Sequence, residues 1–289
     1  MTCHIAIANP DTAVLSSDGQ SSDDRSELHG IQKQFAGSDF LVGVAGLSMV
    51  IPELFDRLEE ASRPGGTNAP LDAARISAFL AHFIDTEIRP EARREIEIIV
   101  VTPPDSNGNA VQTFLPGTFS RLGRREPAGM IGSGAEFASR ALTRYAQLGI
   151  ELPFTTLADL VITIEDLTKA ADESLTVDDS FLLGILSGGK SYLMGDRRII
   201  LGHAGQPIIR EWSRATIRFY EIMATARDIN TEIIDAQRQL SAIRTSALTP
   251  ASLVEIQRIN DGPITTNRRT LVHLLDDYLA WYDGILGRP

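Results

Sequence analysis

The chain begins in period two. Ile5 and Ile7 alternate with alanines as in a half-buried strand, Asn9-Pro10-Asp11 marks a turn, and Ala13-Val14-Leu15 opens a second strand that ends at Ser17-Asp18. The two make a hairpin that folds Asp18 back towards the N-terminus. A third strand carries Ile31, Lys33 and Phe35, and the stretch Phe40 to Gly46 is nearly all apolar or small. The period then lengthens. Leu47, Val50, Ile51, Leu54, Phe55 and Leu58 form a helical stripe, and beyond the loop Pro64-Gly65-Gly66-Thr67-Asn68 the same spacing returns from Leu71 to Ile88. Glu95 to Thr102 reads as a strand, Pro103 to Asn109 as a turn, and Ala110 to Phe119 as its hairpin partner. Gly132-Ser133-Gly134 opens a helix through Leu142 and Tyr145, another helix covers 155–173, and Phe181 to Leu186 is a buried strand followed by the alternating Tyr192-Leu193-Met194.

From Pro207 the pattern is helical: Ile208 to Ser246, then a helix begun by the Thr249 cap with Pro250 at its first position, then a last one from about Arg268 to Ile285. Strands, two helices, strands, two helices, strands and then helices suit an α+β fold in which two sheets pack face to face between helical layers. That core is expected over residues 2–205, with a C-terminal helical extension over 206–289.

Residues 184–191 spell the phosphate-loop pattern G-x-x-x-x-G-K-S. Such a loop needs its first glycine at a strand end and a helix directly after Lys-Ser, so that backbone N–H groups face the phosphates. Here Gly184 lies inside an apolar strand and Ser191 opens a period-two run, so Gly188-Gly189 reads as a hairpin turn. His203 lacks metal-spaced partners and reads as a turn residue, and no cofactor is expected. Cys3, the single cysteine, reads as a small buried strand residue and excludes an intramolecular disulfide.

Across 289 residues, a hydrophobic content of 43% is ample for a core, and a net charge of −11 argues against a nucleic-acid partner, which would require a basic face. No stretch approaches the ~18 apolar residues of a membrane span, and the N-terminus lacks a charged-then-apolar signal pattern. The cytoplasm is the expected compartment, with no membrane partner.

The candidate chemistry lies at the start. Removal of Met1 before the small Thr2 would leave one residue with both a hydroxyl and a free α-amine. An amine titrating near ~8 can take the hydroxyl proton at neutral pH, making Thr2 a nucleophile with its own base. A nearby cation favours the neutral amine, and Lys33 is the first candidate downstream.

Taken together, Thr2, the Asp18-Gly19-Gln20 turn, Lys33, Ala45-Gly46 followed by a helix, and Gly132-Ser133-Gly134 resemble the proteasome β-subunit family of N-terminal-nucleophile (Ntn) hydrolases. The likeness is greatest to the bacterial proteasome-related ring proteases that work with an unfoldase. The Thr-to-Asp spacing fits the family pattern, whereas Asp18 to Lys33 is one residue short. The resemblance implies the four-layer αββα sandwich of that family, the Ntn-hydrolase fold. It makes Thr2, Asp18 and Lys33 the catalytic Thr, Asp and Lys, Gly46 the oxyanion glycine, and Ser133 a residue that manages the amine proton, although Ser133 alone reads equally as a helix cap. Glu173 and Thr176 stand where the family has an Asp and a Ser holding the amine; a solvated helix end explains Glu173 as well. The implied activity is a threonine peptidase or amidase working through an acyl-enzyme on peptide or unfolded-protein substrates. A homo-oligomeric ring and an unfoldase ATPase partner are implied with it. An Ntn transpeptidase or ligase and a non-catalytic ring subunit are the alternatives.

Overall fold

The computed structural model describes residues 3–18, 21–22, 27–28, 33–46, 50–63, 71–115, 123–147, 157–171, 181–195, 208–245 and 249–286. They fall into two units, Met1–Gln206 and Pro207–Pro289.

The first unit is mixed α+β. Its strands are β1 (Cys3–Ala8), β2 (Thr12–Asp18), β3 (Ser21–Ser22), β4 (Glu27–Leu28), β5 (Gln34–Ala36), β6 (Leu41–Ala45), β7 (Glu97–Val101), β8 (Val111–Phe114), β9 (Ala128–Gly132), β10 (Phe181–Ser187) and β11 (Lys190–Gly195). Its helices are α1 (Ile51–Ser62), α2 (Ile76–Glu87), α3 (Ala135–Gln147) and α4 (Leu157–Ala171). A five-stranded antiparallel sheet has the order β11-β10-β2-β1-β9, a four-stranded one the order β5-β6-β7-β8, and β3 pairs with β4.

The period-two pattern explains how these sheets are covered. Along β6, Leu41 and Ala45 join Ala6, Ala8, Ala13 and Leu15 of the five-stranded sheet in one core, so the two sheets face each other. Val42 and Val44, one step out of phase, pack with Ile98 and Val100 against Leu54, Phe55 and Leu58 of α1 and Leu80, Phe83 and Ile84 of α2. On the five-stranded sheet α4 lies over β1 and β2 with α3 beside it, and Ser16 Oγ meets Thr168 Oγ1 at 3.0 Å. Covered on both faces, β1 is buried along its whole length, not half-buried as its alternation suggests, and its one polar side chain, His4, is buried with it.

Two glycines let the sheets approach. A Cβ at Gly43 would come 2.6 Å from the His4 ring, and one at Gly129 would come 2.7 Å from Val111. Gly129 belongs to β9, a strand that the hydrophobic pattern does not signal because Ala128-Gly129-Met130-Ile131-Gly132 is poor in β-formers. The missing side chain of Gly129 leaves room for Val111 and Thr113 of the facing sheet, so packing across the sandwich rather than propensity accounts for this strand. The Gly188-Gly189 turn joins β10 and β11 as a hairpin with Ser187 opposite Lys190, and both glycines have the positive φ that a two-residue hairpin demands, 58° and 73°. Gly184 is packed against Leu41 in the interior of β10, and β11 follows, so these residues form no phosphate loop.

The second unit holds α5 (Ile208–Thr245), α6 (Pro250–Ile259) and α7 (Thr265–Leu286), with a π-helical turn at Asn260–Ile264 around Pro263. The Thr249 hydroxyl caps α6 by accepting the Ser252 N–H, as Thr-Pro at that position predicts. Phe219 of α5 packs on Tyr278 of α7, and the Arg218 guanidinium sits 4.5 Å from the centre of the Trp281 ring. No described helix is long and apolar enough to cross a membrane.

Phe55 anchors the contact between α1 and the four-stranded sheet, buried and 5.9 Å from the Phe35 ring. Phe55→Ala should cost about 3–5 kcal/mol by leaving a cavity in a close-packed layer. A urea titration checks it: the midpoint should fall with the slope unchanged, and an unshifted midpoint would mean that α1 is not held by this core.

Candidate active site

One rim of the first unit gathers strand ends from both sheets. In the five-stranded sheet Cys3 lies opposite Gly132, His4 opposite Ser17, and Phe181 opposite Asp18. In the facing sheet Lys33 stands directly ahead of β5, its carbonyl accepting the Val44 N–H at 3.0 Å, and Gly46 follows β6 directly. Lys33 therefore lies just before the strand on which the sequence pattern puts it, and its backbone is paired all the same.

Polar side chains join the two sheets at this rim. Asp18 and Lys33 are each 1% exposed, with Lys33 Nζ 3.3 Å from Asp18 Oδ2 and 3.4 Å from Oδ1. The Cys3 N–H donates to the same Oδ1 at 2.9 Å. Gln34 Nε2 donates to Ser17 Oγ and to the Leu182 carbonyl, both at 2.9 Å. Taking two charges out of water costs several kcal/mol per ion, and apolar residues of the same volume often serve stability as well or better. A buried carboxylate and ammonium at the rim of a sandwich thus call for another explanation, and buried ionisable pairs of this kind concentrate at functional sites.

His4 is the neighbouring link. Its Nε2 lies 2.9 Å from the Val44 carbonyl, which can only accept, so the proton resides on Nε2. Nδ1 has no hydrogen-bond partner among the described residues. Burial pushes the imidazole down to about 3; the Val44 carbonyl opposes that shift, and the Lys33 charge adds to it. His4 is thus neutral at any physiological pH.

Gly46 is exposed with φ at +103°, and a Cβ there would lie 1.7 Å from the Glu95 carbonyl oxygen, so only glycine fits. Across the rim, Gly132 has φ at +87° and donates its N–H to Glu97 Oε2 at 2.6 Å. Ser133 follows, exposed, and Gly134 packs so tightly that a Cβ would come 2.8 Å from the Cys3 Cβ. α3 starts immediately afterwards at Ala135.

Of the sequence-derived site residues, Asp18 and Lys33 meet directly, while Gly46 and Ser133 end strands at the same rim. Thr2, Glu173 and Thr176 lie outside the described residues. The pattern reading passed over His4, Gln34 and Glu97. Glu97 had a legible signal: with Ile96 and Ile98 facing the helices, it stands on the face that Ile99 and Val101 bury between the sheets, an unusual place for a charge. Among the described residues, no group of three or more His, Cys, Asp or Glu could hold a metal ion. No protein-family model matches the chain, and a search of curated proteins finds no significant match.

His4 makes a pH prediction. Its folded value of about 3 lies below the unfolded value of 6.5, so between these limits the unfolded chain binds more protons. This contribution to stability is complete above about pH 6.5 and is lost as pH falls towards 3, with a slope of up to about 1.4 kcal/mol per pH unit. Denaturant titrations of the wild type and His4→Asn across that range should differ in slope; equal slopes would mean that the imidazole is not buried neutral.

Proposed function

We propose that this protein is a threonine-type N-terminal-nucleophile hydrolase acting on peptide or other amide bonds through an acyl-enzyme on Thr2. One observation carries the reading: the buried Asp18–Lys33 pair is tied to the amide nitrogen of Cys3, the atom to which Thr2 is covalently joined. Two antiparallel sheets facing each other, with helices on their outer faces, are compatible with the four-layer αββα sandwich of Ntn hydrolases.

In this mechanism the amine of a processed Thr2 accepts the hydroxyl proton as Oγ attacks the substrate carbonyl carbon. The resulting oxyanion accepts the Gly46 N–H. The amine then passes its proton to the leaving nitrogen as the amide bond breaks, and water, deprotonated by the same amine, releases the acyl group and restores the hydroxyl. Lys33 biases the amine towards its neutral, basic form, and Asp18 orients Lys33. Ser133 is assigned to handling the amine proton, and Glu173 and Thr176 to holding the amine. A sheltered ring of identical subunits, fed with unfolded protein by an ATPase, is the assembly that goes with this chemistry. The water-requiring step takes place in the cytoplasm in this reading.

Protein with its N-terminus verified by intact mass should form a covalent adduct with a threonine-directed electrophile on Thr2, whereas Thr2→Ala and a Met1-retaining form should not. Lys33→Ala should lose roughly 10²- to 10⁴-fold in peptide turnover, the usual cost of disrupted proton handling. Full turnover by Thr2→Ala would end the proposal. Light scattering should find many subunits per particle. A monomer at micromolar concentration would remove the ring and leave a free-standing amidase.

A further inference from the structure

We propose that Glu97 is a positioning residue of this site: by accepting the Gly132 N–H at the outer edge of β9, its carboxylate sets the turn that presents Ser133. The proposal rests on the threonine-nucleophile reading and adds to it a residue on the opposite sheet.

The geometry follows from the strand order. β9 is the outermost strand beside β1, and the Ala8 N–H donates to the Pro127 carbonyl. Hydrogen-bonded pairs alternate along an antiparallel ladder, so Ala6/Gly129 and His4/Ile131 are bonded pairs and the Gly132 N–H points away from β1. Among the described residues no strand lies on that side in this sheet, and a half-buried N–H needs an acceptor. Glu97 Oε2 supplies it from the facing sheet at 2.6 Å, a charge-assisted bond that is stronger than one to a neutral carbonyl. The bond is made at the residue whose φ of +87° turns the chain into Ser133.

The same short segment supports the other glycine of the rim. Glu97 is paired with Ala45, the residue before Gly46, and the Glu95 carbonyl closes the space that a Gly46 side chain would need. The start of β7 is thus a strut with one end against the Gly46 turn and the other holding the Ser133 turn. A residue that acts only through Ser133 loses its effect once that hydroxyl is gone.

A double-mutant cycle tests this, with turnover of a fluorogenic peptide as readout and the Thr2 adduct as its control. Glu97→Ala should lower kcat by about 10- to 100-fold with KM little changed, the scale on which misplaced groups act. Glu97→Gln, which retains an acceptor oxygen, should recover most of that loss. In the double variant with Ser133→Ala the two losses should not multiply. Multiplying losses, or wild-type kcat in Glu97→Ala, would overturn the role of Glu97. If Glu97→Ala does not fold, Glu97→Asp carries the test: it keeps the charge but is one methylene short, and wild-type kcat there would overturn the role as well. The two levels separate cleanly. A wild type that is neither labelled at Thr2 nor active defeats the hydrolase reading and this role with it, while a labelled, active wild type with multiplying losses defeats the role alone.

Discussion

The rim is organised by an ion pair kept from water between two sheets. A carboxylate and an ammonium in that position require their remaining hydrogen-bonding capacity to be met nearby; the Cys3 N–H serves Asp18, and other polar links lie beside the pair. The Asp18 carboxylate reaches the Cys3 amide, Gln34 bonds to Ser17 and to a β10 carbonyl, and the His4 ring bonds to the carbonyl of Val44. Elsewhere the sheets meet mostly through alanine, leucine, isoleucine and valine. The polar links have direction, and they tie β1 and β2 to β5 and β6 in one arrangement.

Much of this was legible because the strands and helices of the first unit have different periods. The helical stripe through Leu47, Val50, Ile51, Leu54, Phe55 and Leu58 identifies α1, which spans Ile51–Ser62, and the two phases of β6 explain how one strand serves two cores. The hairpin that returns Asp18 to the N-terminus could be inferred from Asn9-Pro10-Asp11 alone, and Asn9 does accept the Asp11 and Thr12 N–H groups. Three features were hidden for definite reasons. β9 consists of residues of low strand propensity, and its Gly129 leaves space that side chains of the facing sheet fill. Glu97 stands out by its phase along β7, but its partner, the Gly132 N–H, emerges only once the facing sheet is in place. His4, a lone histidine among apolar residues, gives no hint in sequence that it spans the sheet interface.

The contacts at this rim also bear on when it can exist. The ion pair and its Cys3 link are made within the first strands, but Cys3 also lies opposite Gly132, Asp18 opposite Phe181, and Gly132 is bonded to Glu97, so the edges of the rim join distant parts of the chain. Contacts of large sequence separation form slowly and late. β1 and β2 are synthesised well before β10, which pairs with β2 but begins only at Phe181. Under the proposed chemistry, a nascent chain would therefore carry its first strands for much of its synthesis before β9 and β10 complete the rim around them, so the order of translation would delay the finished site.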